Sequence, residues 1–84
     1  MAGFEETGLA VALRWFPAAG GGAGDITVTG IKVGDKLNLV YNVTDHAVLT
    51  SEFTITDDDT INNTGGTATT GDDLLVAYWD NPTL

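Results

Sequence analysis

Apolar and polar positions alternate with period two along short stretches of this chain, and the breaks between them are Asp, Asn, Thr and Gly. Side chains of a strand point to its two faces in turn, so this spacing predicts strands. From Gly8, the residues Leu9, Val11, Leu13 and Trp15 alternate with Ala10, Ala12, Arg14 and Phe16. A helix ending at Pro17 would need an N-cap, and none is present. Residues 17–24, PAAGGGAG, predict a flexible surface loop, because glycine lacks the side chain and the entropy balance for regular structure. Asp25–Val33 predicts a strand with Ile26 and Val28 inward, interrupted at Gly30 by a bulge or bend. Gly34-Asp35 is a turn signal. In Lys36–Thr44 the residues Leu37, Leu39, Tyr41 and Val43 share one face, expected inward. Asn38, Asn42 and Thr44 share the other, which only Val40 breaks.

Asp45–Thr50 reads as a connection and Ser51–Thr56 as a strand with Phe53 and Ile55 inward. Asp57–Asp59 turns the chain, Thr60–Asn62 is a short strand built on Ile61, and Asn63–Gly71 is a long polar turn. Asp73–Trp79 is apolar on both faces, Leu74, Val76 and Tyr78 on one and Leu75, Ala77 and Trp79 on the other. Such a strand is either central in its sheet or carries one face into a subunit interface. Six strands at about 8–12-residue spacing predict an all-β fold, a small antiparallel β-sandwich or barrel. The expected organisation is a flexible arm over 1–7, one β domain over 8–80 and a tail over 81–84. The pattern Gly-Asp-x-Leu occurs at 34–37 and 71–74, which reads as one tight turn used twice.

Length sharpens this picture. A chain of 84 residues makes one domain and buries only about 60–65% of the surface its unfolded form exposes. Cysteine is absent, which closes the disulfide route and excludes Fe–S or Cys-type zinc sites, and one histidine, His46, cannot build a His-rich metal site. Assembly with other subunits is the expected stabiliser. Twelve acidic residues against three basic ones give a formal charge of −9. That balance argues against nucleic acid, which needs a Lys/Arg footprint, and against anionic membrane surfaces. It suits solubility and self-repulsion, or a basic partner. No apolar run reaches the ~18–20 residues of a membrane span. Glu5 and Glu6 stand where a signal peptide places Lys or Arg, so the expectation is a chain made in the cytosol and not exported. Two glycosylation sequons, Asn42-Val43-Thr44 and Asn62-Asn63-Thr64, are expected by chance in a chain so rich in Thr and Asn.

Little here resembles catalytic machinery. Asp57-Asp58-Asp59 and Asp72-Asp73 are the only concentrated oxygen ligands, without the spacing of a calcium loop, and read as solvated turn acids. A weak cation site is the alternative. No metal or cofactor is expected. Ser51 is the only serine, with His46 five residues away across a loop, and no orienting acid or oxyanion hole follows from that spacing. Glu52 beside Phe53 is the nearest candidate for a raised-pKa acid, but alternation puts it on the solvent face. The Gly-rich loop lacks the following helix and Lys of a phosphate cradle. An enzyme is the least expected reading.

The aromatics carry the remaining information. Trp15, Phe16, Tyr41, Tyr78 and Trp79 read chiefly as core, with a sugar-stacking platform as the alternative. Phe4, Trp15, Phe16 and Trp79 are the candidates for contact with another subunit.

The segments DITVTGIKVGDKLNLVYNVTD at 25–45, SEFTIT at 51–56, TINNTGGTATTGDDLL at 60–75 and VAYW at 76–79 occur in an order that resembles the small head-decoration (cement) proteins of tailed bacteriophages. The likeness covers about two-thirds of the chain. It implies a non-enzymatic β-protein of the virion, added to the outside of an assembled capsid, where it bridges neighbouring major capsid protein subunits as a homo-oligomer, commonly a trimer. No catalytic residue carries over, and residues 1–24 match no family segment. The competing expectation is a carbohydrate- or receptor-binding module of a fibre or adhesin. An immunoglobulin-like scaffold domain cut from a longer chain is a third.

Overall fold

A computed structural model describes residues 12–22 and 24–80. Seven strands form two antiparallel sheets. They are β1 (Ala12–Ala19), β2 (Asp25–Thr27), β3 (Lys36–Asn42), β4 (Ala47–Val48), β5 (Phe53–Asp57), β6 (Thr60–Asn63) and β7 (Asp73–Asp80). The four-stranded sheet has the order β1-β7-β3-β4, and the three-stranded sheet has the order β2-β6-β5. Their inner faces share one core, so the expected all-β sandwich is the fold. From the four-stranded sheet come Ala18, Val40, Leu74, Val76 and Tyr78; from the other come Ile26, Phe53 and Ile61.

The doubly apolar segment is β7, and it is central, flanked by β1 and β3. The short strand on Ile61 is also central in its sheet, and Ile61 pairs with Ile26 on one side and Ile55 on the other. Phe53 is buried as expected, while Ser51 and Glu52 before it belong to a 3₁₀ turn, Thr50–Glu52, rather than to the strand.

Several expectations are corrected. The first strand does not stop at Pro17 but runs to Ala19, with Pro17 paired to Leu75. Proline is tolerated because β1 is an edge strand, whose outward N–H groups need no partner. The segment 25–33 is strand only to Thr27. Beyond it the chain arches over the core, burying Val28 and Ile31, and is tied to the β5–β6 turn rather than to a neighbouring strand. The N–H of Val28 donates to the Asp59 carbonyl at 2.9 Å, and the N–H of Asp59 donates to the Ile31 carbonyl at 2.8 Å. Gly30 is the apex, at φ 101°. A Cβ there would lie 2.9 Å from the Tyr78 hydroxyl, so glycine is required on both counts.

The faces of β3 are also reversed over much of its length. Val40 and Asn42 point into the core, whereas Leu39 and Tyr41 are only half-buried and Val43 is exposed. The cause is a register shift between Leu37 and Leu39. Leu37 pairs with Tyr78 and Leu39 with the very next residue back, Ala77, so Asn38 is an extra residue. A bulge of that kind moves every later side chain to the opposite face. Asn42 is accommodated inside because its amide donates to Asp72 Oδ2 at 2.9 Å and its carbonyl accepts the Asp45 N–H at 2.9 Å. Asn42, the acceptor position of its sequon, is therefore buried.

Candidate interaction surface

The outer faces of the two sheets differ in chemistry. Cross-strand partners in an antiparallel sheet share a face, so the register fixes which residues look outward. On the three-stranded sheet these are Asp25, Thr27, Thr54, Thr60 and Asn62, all polar. On the four-stranded sheet they are Leu13, Trp15, Pro17 and Ala19 of β1, Asp73, Leu75, Ala77 and Trp79 of β7, Lys36, Leu39 and Tyr41 of β3, and Val48 of β4. A solvated sheet face ordinarily alternates to polar residues. This one is apolar across all four strands, with Lys36 and Asp73 standing at its two ends. Trp15 is 54% exposed, Trp79 37% and Val48 66%.

Register places the two tryptophans on one diagonal. Trp79 pairs with Leu13, and Trp15 pairs with Ala77. Trp15 therefore lies directly across from the fully buried Ala77, and Trp79 lies two residues further along β7 on the same face. Of the four aromatic residues expected at an interface, Trp15 and Trp79 meet on this face. Phe16 does not: it lies on the inner side of β1, paired with Val76, and packs against the core. On β1, therefore, Leu13 and Trp15 look outward while Phe16 and Ala18 look inward, so the core reading holds for Phe16 and not for Trp15. Phe4 lies outside the described residues, as does the arm over 1–7. Tyr41, Leu39 and Leu75 complete the surface, and sequence alternation missed the first two because of the bulge.

Charge is concentrated elsewhere. At one end of the sandwich Lys32 Nζ sits 2.6 Å from Asp80 Oδ1 and 3.5 Å from Asp35 Oδ1, and Arg14 Nε sits 3.4 Å from Asp80 Oδ2. The hydrogen bond from Lys32 holds the Asp80 carboxyl below its ordinary range, and the same bond raises Lys32. Burial pushes the Tyr78 hydroxyl up, and the negative charge of Asp80 adds to it. Two of the three cations of the chain are engaged there. The third, Lys36, opens β3 beside Trp79 and makes no ion pair among the described residues.

The acidic turns have structural work. Asp59 Oδ1 accepts the Gly30 N–H at 2.8 Å, Asp58 Oδ1 the Val33 N–H at 3.4 Å, and Asp57 Oδ1 the Asp58 N–H at 2.8 Å. Each carboxylate binds backbone, and the three do not converge; no group of three or more potential metal ligands occurs among the described residues. Glu52 is likewise occupied, its Oε1 accepting the Thr67 N–H at 3.1 Å and its carbonyl the Thr64 N–H at 2.7 Å, which shapes the long polar turn. Ser51 and His46 are exposed on separate turns, His46 at φ 56°. An open groove of about 290 Å³ between the start of β3 and β5 is lined by Gly34–Leu37 and Phe53–Ile55.

Among the described residues no helix is long and apolar enough to cross a membrane. Comparison of the chain with protein-family models, with curated proteins and with solved structures gives no match, so the reading of this surface stands on its own residues.

Proposed function

We propose that this protein is a non-enzymatic structural module that works by laying the outer face of its four-stranded sheet against other protein subunits. The observation that carries this reading is the contrast between the two sheets, one clothed in Thr, Asn and Asp and the other in Trp, Leu, Tyr and Val. Contiguous exposed apolar surface of this extent marks a site of contact, and tryptophan is the residue most enriched among residues that dominate binding. A net charge of −9 speaks against nucleic acid and anionic lipid as the partner.

The order of segments from Asp25 to Trp79 supports the finer reading, a decoration protein bound to the outside of a bacteriophage head. In that role the module binds the major capsid protein and stiffens the shell against internal pressure. Copies joined to one another bind with raised effective concentration, so weak individual contacts suffice. The test is co-sedimentation of the purified chain with capsids that lack it. Saturable binding, together with a higher disruption temperature of the shell, is the expected result. Chain that stays in the supernatant at every concentration contradicts it.

A second reading is favoured by one feature, the pair Trp15 and Trp79 exposed on a single sheet face. Indole rings stack on the apolar faces of sugars, as a carbohydrate-binding module of a fibre or adhesin requires. Titration with oligosaccharides separates the two: a saturable shift in tryptophan emission belongs to the carbohydrate reading, and an unchanged spectrum to the structural one.

A further inference from the structure

We propose that the apolar face of the four-stranded sheet seats a second copy of this chain, face to face, with the strands of the two copies running in opposite senses. The inference rests on the reading that this face receives protein, and it names the partner.

Charge selects the occupant. The described outward register of β1, β7 and β3 carries two charged residues, Lys36 beside Trp79 and Asp73 beside Ala19. They stand at opposite ends of the face, six residues apart along β7, or about 20 Å at strand rise. Between them the surface is neutral and apolar. A basic partner would find its complement on the acidic turns, not here. The face is instead complementary to itself. A two-fold axis lying between the sheets and perpendicular to the strands brings Lys36 of each copy to Asp73 of the other, twice over. An axis parallel to the strands sets Lys36 against Lys36 and Asp73 against Asp73. Opposite charges thus choose the first arrangement. Neither side chain is committed elsewhere among the described residues.

Size sets the strength of the pair. Two strands of eight residues, one of seven and one of two cover roughly 400 Å² of flat sheet on each copy. Two such patches bury about 800 Å², short of the roughly 1,000 Å² of a stable interface, so the pair is weak and dissociates on dilution. Aligned packing of two twisted sheets is an ordinary way to close such a surface. An isologous contact of this kind uses the whole face on both partners, so it closes at two copies and leaves contact with a shell to the remaining surface of the pair. The three-fold assembly implied by the family resemblance would need other contacts.

The same charge distribution predicts how the pair responds to salt. Each copy carries −9, and this repulsion acts over long range, whereas Lys36 and Asp73 meet at close quarters on the rim. Screening relieves the first more than it weakens the second. Added salt therefore tightens the pair, the reverse of docking onto a basic surface.

Sedimentation equilibrium of the full chain, over a range of concentrations at low and at high sodium chloride, tests this. The expected result is a mass that rises from one chain to two, with a dissociation constant at least tenfold lower at high salt. Trp15→Glu and, on the separate edge strand, Val48→Glu each weaken the pair tenfold or more with unchanged far-ultraviolet circular dichroism. Lys36→Glu weakens it, and Lys36→Glu with Asp73→Lys restores it. A monomer at every concentration and salt, a mass beyond two chains, or a dimer indifferent to both glutamate substitutions overturns the inference, as does failure of the charge exchange to restore affinity. Capsid co-sedimentation on the same samples reports separately on the virion reading: a dimer that ignores capsids keeps this inference and removes that one, and a monomer that binds capsids does the opposite.

Discussion

Asp80 gathers two of the three cations of the chain, accepting from both Lys32 and Arg14 at the end of the sandwich. Because its folded carboxyl titrates below the unfolded one, it adds stability above the unfolded pKa of about 3.9 and loses it as pH falls through the folded value. Lys32, raised by the same bond, adds stability below its unfolded pKa and loses it as pH climbs through the folded one. Asp80→Asn should thus lower the melting temperature slightly at pH 7, and the difference from the native chain should vanish towards pH 2. Exposed pairs contribute little, so the drop is small. Gly20 is the more demanding residue. A Cβ there would lie 2.1 Å from the Thr69 carbonyl oxygen, so the two loops must part to admit it. Gly20→Ala is expected to cost about 1–3 kcal/mol by overpacking, read from urea unfolding. At this scale the sequence is only partly legible. The clash at Gly20 comes from a residue far along the chain, and no local pattern announces it. Likewise nothing in the sequence says that Asn38 is a bulge, and one extra residue is enough to hide Val40 and expose Val43.

Among the elements, β6 and β7 do most to organise the molecule, because each is central in its sheet. Ile61 is fully buried between Ile26 and Ile55. Ile61→Ala should cost about 2–5 kcal/mol, a large part of the roughly 5–15 kcal/mol that holds a domain together. Loss of a cooperative thermal transition is the readout. Both strands were legible from sequence, since a doubly apolar run and an isolated isoleucine between turns have few other uses. β1 was legible as a strand but not in its facing. Leu13 and Trp15 are as apolar as Phe16 and Ala18, so alternation alone cannot say which pair is inside, and the structure puts the tryptophan out. The candidate surface was therefore half visible, through β7, and half concealed by a strand whose two faces look alike. The arch over 28–33 was visible only as a break at Gly30, because its partner is the tip of the β5–β6 turn, through Asp59, rather than a strand.

For the whole molecule, charge and apolar surface are separated in space. The acids crowd the turns and bind backbone, the paired cations close one end, and one broad face is left to Trp, Leu, Tyr and Val. Self-repulsion of a −9 body opposes compaction and association alike. Raising sodium chloride from about 0.01 M to about 1 M shrinks the screening length from about 30 Å to about 3 Å. The melting temperature should rise as it does so. It should rise in Trp15→Glu as well, where pairing through the face is removed and relief of repulsion within one chain remains. Acrylamide quenching of Trp15 and Trp79 measures the central claim most directly, comparing dilute chain with chain bound to capsids. The account predicts indoles open to quencher in the dilute state and shielded in the bound one. Binding that leaves both rings equally open to quencher would contradict it.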